Sequence, residues 1–203
     1  MSSKGKGRTL ELEQIRKAEE RAANQSAEVR KKSFLTVGVI LAAVAGLTAW
    51  IMFAPAPPGI PYPSQGNFHL TDIAEPHVPY NSAPPSSGPH FGGLGPWGVS
   101  EEPIPPELYI HNLEDAGVVF VYNCPTGCDD LSGSLASYVD GRPEPTLVMT
   151  PYDGAIQDPD GTSYRAAAIA WSRVFYFDDL TDDVRAEVDD FIDIYHGIDH
   201  HAR

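Results

Sequence analysis

From Phe34 to Phe53 the chain runs 20 residues without a charged side chain, Phe34-Leu35-Thr36-Val37-Gly38-Val39-Ile40 through Ala49-Trp50-Ile51-Met52-Phe53. A helix of that length matches the ~30 Å hydrocarbon core of a bilayer, so the run predicts a transmembrane helix over residues 34–53. Residues 1–33 carry nine Lys and Arg against five Glu, and Arg30, Lys31 and Lys32 adjoin the apolar run. The positive-inside rule then puts the N-terminus in the cytoplasm and everything after Phe53 on the other side. Ala54-Pro55-Ala56 imitates the small-residue site of a cleaved signal peptide. The apolar run exceeds the ~7 to 15 residues of such a signal, and Pro57 follows the cut, so an uncleaved single-pass anchor is the expectation.

Past the span, five basic residues face 23 acidic ones, a formal charge of −18, and no Lys follows Lys32. A domain so acidic repels phosphate backbones and anionic headgroups, which argues against nucleic acid as a partner and favours cationic partners or metal ions. Phosphate-loop and dinucleotide-binding signatures are absent.

The chain divides into a polar tail (1–33), the span (34–53), a Pro-rich stalk (54–66) and one domain of ordinary size (67–203). Residues 9–31, with Leu10, Leu12 and Ile15 as the sizeable apolar side chains, read as a marginal polar helix or a disordered tail. Pro57, Pro58, Pro61 and Pro63 fix φ and remove donors, so the stalk is expected to be extended. From Glu75 to Pro106 the chain is rich in Pro, Gly and Ser, and an ordered loop there must be held by packing or by a bound ion.

Regular structure is expected from Gly117 onward. Val118-Val119-Phe120-Val121-Tyr122 reads as a buried strand, and Asp129–Val139 as a helix with Leu131, Leu135, Tyr138 and Val139 on one face. Thr146–Thr150 reads as a second strand ended by Pro151, and Ala166–Phe177 as one longer third strand. A last helix has Thr181 as cap, Asp182 and Asp183 in its first turn, a stripe of Val184, Val188, Phe191, Ile192 and Tyr195, and Gly197 as stop. The predicted fold class is α/β or α+β: a small mixed sheet with two or three helices, preceded by an irregular Pro/Gly-rich segment and one N-terminal transmembrane helix. The first two strands, joined through a helix, should be parallel.

Two stretches concentrate reactive side chains: Pro84-Pro85-Ser86-Ser87-Gly88-Pro89-His90, and His111 through Cys124-Pro125-Thr126-Gly127-Cys128. Cys124 and Cys128, outside the reducing cytoplasm, are open to three readings. They form a structural disulfide, they bind copper as thiolates with imidazole co-ligands, or they exchange disulfides, although redox enzymes of that kind separate their cysteines by two residues rather than three. The Cys-x-x-x-Cys spacing is similar to that of copper-A oxidase subunits and SCO-type copper chaperones, yet Asp129, Asp130 and Leu131 follow here in place of a His and a Met. Co-ligands for copper would come from His90, His111, His77 or Met149. His90 and His111 have loop anchoring as their simpler role, and His196, His200 and His201 are expected to be solvated. Ser86, Ser87, His90 and Asp115 supply the residue types of a catalytic triad without any Gly-x-Ser-x-Gly elbow.

Pro84–His90, His111-Asn112-Leu113-Glu114, Tyr122-Asn123-Cys124, Pro151-Tyr152, Ala170-Trp171 and the Phe191-bearing helix, in that order, resemble the bacterial domain-of-unknown-function family 3105 over roughly residues 75–200. The resemblance implies a membrane-anchored or exported bacterial protein of unassigned activity. The family pattern reads His-Asn-Leu-Glu-His-Gly where this chain has Asp115 and Ala116 after Glu114, so one imidazole is exchanged for a carboxylate, which suits a hard or borderline ion better than a soft one. The expected function is metal binding, copper first, or assembly of an envelope or respiratory complex. The domain would stand in the periplasm or outside a bacterial cytoplasmic or inner membrane, tied to it by its own helix and open to a membrane-protein complex as partner. A thiol-disulfide redox protein and a purely structural interaction module are the rival readings.

Overall fold

The computed structural model describes residues 3–54, 56–124 and 127–201. Pro55 of the small-residue stretch, Pro125 and Thr126 of the cysteine loop, and the side chains of Leu10, Leu12 and Ile15 lie outside the described residues. The chain forms two units, residues 1–56 and 57–203.

The first unit is a single helix, α1 (Ser3–Phe53). The polar stretch and the apolar run, expected as separate segments, are continuous, because the polar part is rich in Ala, Glu, Lys and Arg, which favour helix. Pairs at i,i+4 such as Lys17 to Glu13 at 2.9 Å add a few tenths of a kcal/mol each. Its portion Arg30–Phe53, 24 residues with mean hydropathy 2.2, is long and apolar enough to cross a membrane.

The second unit contains, in chain order, β1 (Ile60–Pro61), β2 (His69–Leu70), β3 (His90–Phe91), β4 (Gly98–Val99), α2 (Pro106–Glu114), β5 (Val118–Tyr122), α3 (Asp129–Asp140), β6 (Leu147–Pro151), β7 (Ala166–Ala170), β8 (Arg173–Phe177) and α4 (Asp182–Tyr195). A mixed six-stranded sheet has the order β1-β8-β7-β5-β6-β4, and β2 pairs with β3 in a small second sheet. β5 and β6 are parallel with α3 between them in sequence, as the connection rule predicts. β7 is antiparallel to β5.

Three expectations differ from the observed elements. Ala166–Phe177 is a hairpin, with β7 and β8 antiparallel and Ala170 opposite Arg173. Its turn, Trp171-Ser172, holds Ser172 at φ 60°, a left-handed conformation that neither residue advertises in sequence. The stalk enters the fold at Ile60–Pro61, which pairs with Val174 and Arg173; proline is tolerated there because β1 is an edge strand. Regular structure also precedes Gly117, since Pro106 opens α2 at its first turn, where its missing N–H costs nothing, and Glu107 sits at the positive end of the helix dipole.

Side chains alternate across the central strands and fill both faces. Val118 and Phe120, with Leu147 and Met149, pack under α3 and α4 against Leu131, Leu135, Val188 and Phe191. Val119 and Val121, with Val148 and Ile169, pack on the opposite face against Tyr109, Ile110 and Leu113 of α2. Burial on both faces explains the unbroken apolar run of β5. Thr181 caps α4 by accepting a hydrogen bond from the Val184 amide at 3.3 Å.

Helix α2 ends in a Schellman turn, in which the Gly117 amide donates to the Asn112 carbonyl at 2.8 Å. Ala116 occupies the left-handed position of that turn at φ 67°. A left-handed Ala costs roughly 1–2 kcal/mol, partly offset by the roughly 0.4–1 kcal/mol that glycine adds to the unfolded chain's entropy. Ala116→Gly should therefore raise stability by about 1 kcal/mol, and a lower midpoint in thermal unfolding would contradict this account of the turn.

Candidate metal centre

The small sheet and the last turns of α2 build one site. In the parallel pair β2–β3, His69 stands directly opposite His90, and their rings meet edge-on with centroids 4.8 Å apart. One turn of helix separates His111 from Glu114, so both point the same way from α2. Asn112 and Leu113, lying between them, face elsewhere. Leu113 enters the core, and the Asn112 amide clamps Gly95, accepting from its N–H at 2.8 Å and donating to its carbonyl at 2.9 Å.

Everything converges on Glu114, whose side chain is fully buried. His90 Nε2 lies 2.9 Å from Glu114 Oε2 and His69 Nε2 3.0 Å from the same atom. His111 Nδ1 is 3.7 Å away. Asn67 Nδ2 donates to the other oxygen, Oε1, at 2.8 Å. One donor atom from each of His69, His90, His111 and Glu114 lies within 4.8 Å of all the others, a spacing that suits four ligands of one ion at bond lengths of about 2.0–2.2 Å.

The irregular Pro-rich segment positions His90. Ser86, Ser87 and His90 are completely buried, and the loop is stitched down by Tyr109 Oη to the Pro85 carbonyl (3.0 Å), the Ser172 amide to the Ser86 carbonyl (2.8 Å) and Tyr80 Oη to the Pro89 carbonyl (2.7 Å). Gly88 adopts φ +125° against the Tyr80 ring, where a Cβ would come within 3.2 Å. Its carbonyl lies 2.8 Å from His90 Nδ1. A carbonyl can only accept, so Nδ1 carries the proton, and Nε2 is turned toward the Glu114 carboxylate. Fixing a ring through its rear nitrogen is how proteins orient metal-binding histidines.

Electrostatics keep His111 and Glu114 in ligand form. Burial pushes the His111 pKa down, and His90 and His69 add to the effect against the opposing pull of Asp115 and Glu114. The ring therefore stays neutral with a lone pair to offer. Its Nδ1 is buried and has no hydrogen-bond partner among the described residues. Burial alone would raise the Glu114 pKa, but hydrogen bonds from His69 and Asn67, with His90 and His201 nearby, outweigh it and leave the carboxyl below its usual range.

The sequence-selected candidates separate accordingly. His90 and His111 come together. His77 lies at the opposite end of α2, with Nε2 3.3 Å from Glu107 Oε1 and Nδ1 2.8 Å from the Val78 carbonyl; seven helical residues, about 10 Å, separate Glu107 from Glu114. Met149 is buried in the cluster under α3 and α4. Cys124 and Cys128 form a disulfide with Cα atoms 5.4 Å apart, and Cys128 packs in the same cluster as Met149. The sheet lies between that cluster and the α2 face, so the sulfurs and the imidazoles are not brought to a common centre. His69 and Glu114, not among the candidates, complete the cluster. The C-terminal histidines are engaged rather than merely solvated: His196 Nε2 bonds Thr146 Oγ1 at 2.6 Å, His200 stacks on Trp171 with centroids 5.4 Å apart, and His201 Nε2 lies 3.3 Å from Asp115 Oδ1.

Residues 73–201 match the family described as "protein of unknown function (DUF3105)". No curated protein and no solved structure matches the chain.

Proposed function

We propose, for a chain that belongs to this family of proteins of unknown function, that the domain following the apolar helix holds a divalent transition-metal ion between His69, His90, His111 and Glu114. The carrying observation is the buried His111 Nδ1, which has no hydrogen-bond partner among the described residues and lies 3.7 Å from the carboxylate oxygen that His69 and His90 also approach. Desolvating an imidazole nitrogen without a partner costs about 1–3 kcal/mol, a cost that a bound cation removes.

The donor set is three nitrogens and one oxygen. That composition favours borderline divalent ions, with Cu2+ and Zn2+ leading on affinity, over the Cu+ that a thiolate site would select. Four protein donors close a tetrahedral shell without reserving a position for reacting water, which supports holding or delivering an ion rather than hydrolysis. His69, whose side chain is 44% exposed, gives the route of entry. The basic tail supports an N-terminus in the cytoplasm and a metal site across the membrane, within reach of a membrane-protein complex.

Titration of Zn2+ and Cu2+ into the full chain in detergent, followed by calorimetry and elemental analysis, tests this. Stoichiometric binding that survives in the Cys124→Ser/Cys128→Ser double variant is the expected result, because the disulfide lies across the sheet from the site. Loss of the metal with the cysteines would overturn the assignment.

A further inference from the structure

Beside the four ligands, the chain segment after α4 folds back over the end of α2. The Gly197 amide donates to the Ala116 carbonyl at 2.9 Å and the His200 amide to the Glu114 carbonyl at 3.0 Å. These bonds deliver His201 to the outer side of the cluster, its ring 5.7 Å from that of His111, centroid to centroid. His201 Nδ1 lies 2.9 Å from Asp199 Oδ1. The Asp199 carboxylate accepts the Nδ1 proton, which turns Nε2 toward Asp115 Oδ1, 3.3 Å away, with Glu114 Oε2 at 3.7 Å. An imidazole held through Nδ1 by a carboxylate is the arrangement by which metal-bound histidines are oriented. It is built independently of the Gly88 carbonyl that fixes His90. His111, Asp115 and His201 also place one donor atom each within 4.8 Å of one another.

We infer that the centre takes two divalent ions: the first between His69, His90, His111 and Glu114, and a second beside it on Asp115 and His201, with His111 or Glu114 shared. The inference rests on the reading of the first site and adds a second position to it. Charge supports the pair. Two dications close together need anionic compensation, and Glu114, Asp115 and Asp199 supply three negative charges around them.

The experiment is Zn2+ titration of the full chain in detergent, read as bound equivalents and stepwise affinities. Wild type should bind two equivalents. Asp115→Asn and His201→Ala should each keep the first and weaken the second by roughly 10–100-fold or more, and the retained first equivalent shows that these variants are folded. His200→Ala, which alters a ring stacked on Trp171 outside both donor sets, should still bind two. One equivalent in wild type, unchanged in Asp115→Asn and His201→Ala, would overturn the second position and leave the first standing. Two equivalents in all variants would place the second ion elsewhere and equally overturn it. No binding by wild type would end both proposals.

Discussion

Glu114→Gln should abolish stoichiometric metal binding, with an affinity loss beyond the roughly 10–100-fold that changes in outer-shell partners cost. Glu114 Oε2 is the point on which His69, His90 and His111 converge, and its charge is the only negative one in the four-ligand set. The amide keeps the shape and removes the charge. With free metal at 100 times Kd, binding stabilises the folded state by about 2.7 kcal/mol. For a chain of this size that shifts thermal unfolding upward by roughly 5–10 °C. Wild type should show the shift and the variant none. A metal-dependent shift of equal size in both proteins would remove Glu114 from the site.

The same substitution carries a pH signature in the metal-free protein. The Glu114 pKa is lowered in the fold, since its hydrogen bonds and neighbouring imidazoles outweigh burial. Ionised Glu114 therefore contributes stability above its unfolded pKa, and that contribution fades as pH falls through the lowered folded value. The Gln variant forgoes it at every pH, so the two stabilities should converge in acid and separate toward neutrality.

Phe120→Ala should cost about 3–5 kcal/mol, the range for truncating a buried aromatic side chain. Phe120 is fully buried at the centre of the sheet and meets the Tyr138 ring edge-on, centroids 5.9 Å apart. Domains of this kind are stable by only about 5–15 kcal/mol, so the unfolding midpoint should fall steeply. Phe120 points toward α3 and α4, whereas the imidazoles gather at α2 on the other face. Below its new midpoint the variant should therefore bind metal with unchanged stoichiometry. A loss under about 1 kcal/mol would contradict the assignment of that face as the main core.

The elements with strong periodicity were legible from residues alone. Val118–Tyr122 has no polar interruption, and Leu131, Leu135, Tyr138 and Val139 recur at helical spacing, as do Val188, Phe191 and Ile192. The helix Pro106–Glu114 was signalled as well, by Pro105-Pro106-Glu107 and by Tyr109, Ile110 and Leu113, but nine residues framed by Pro-rich and Gly-rich chain carry little weight in a scan for long amphipathic runs. Without that helix the site cannot be assembled from sequence. His111 and Glu114 become a ligand pair only once they share a helix face, so Glu114 read as an ordinary acid within a motif. His69 had no local signal at all, because a two-residue strand has no periodicity and its pairing with His90 spans 21 positions of irregular chain. The cysteines drew attention for the opposite reason. Their spacing is conspicuous in sequence, while the side of the sheet on which they lie is decided by the tertiary path.

X-ray absorption at the metal edge of the full chain loaded with one equivalent of Zn2+ reads out directly which side chains hold the ion. Coordination by His69, His90, His111 and Glu114 gives a first shell of nitrogen and oxygen alone, at about 2.0–2.2 Å, with imidazole scattering beyond it. A sulfur shell near 2.3 Å would contradict it.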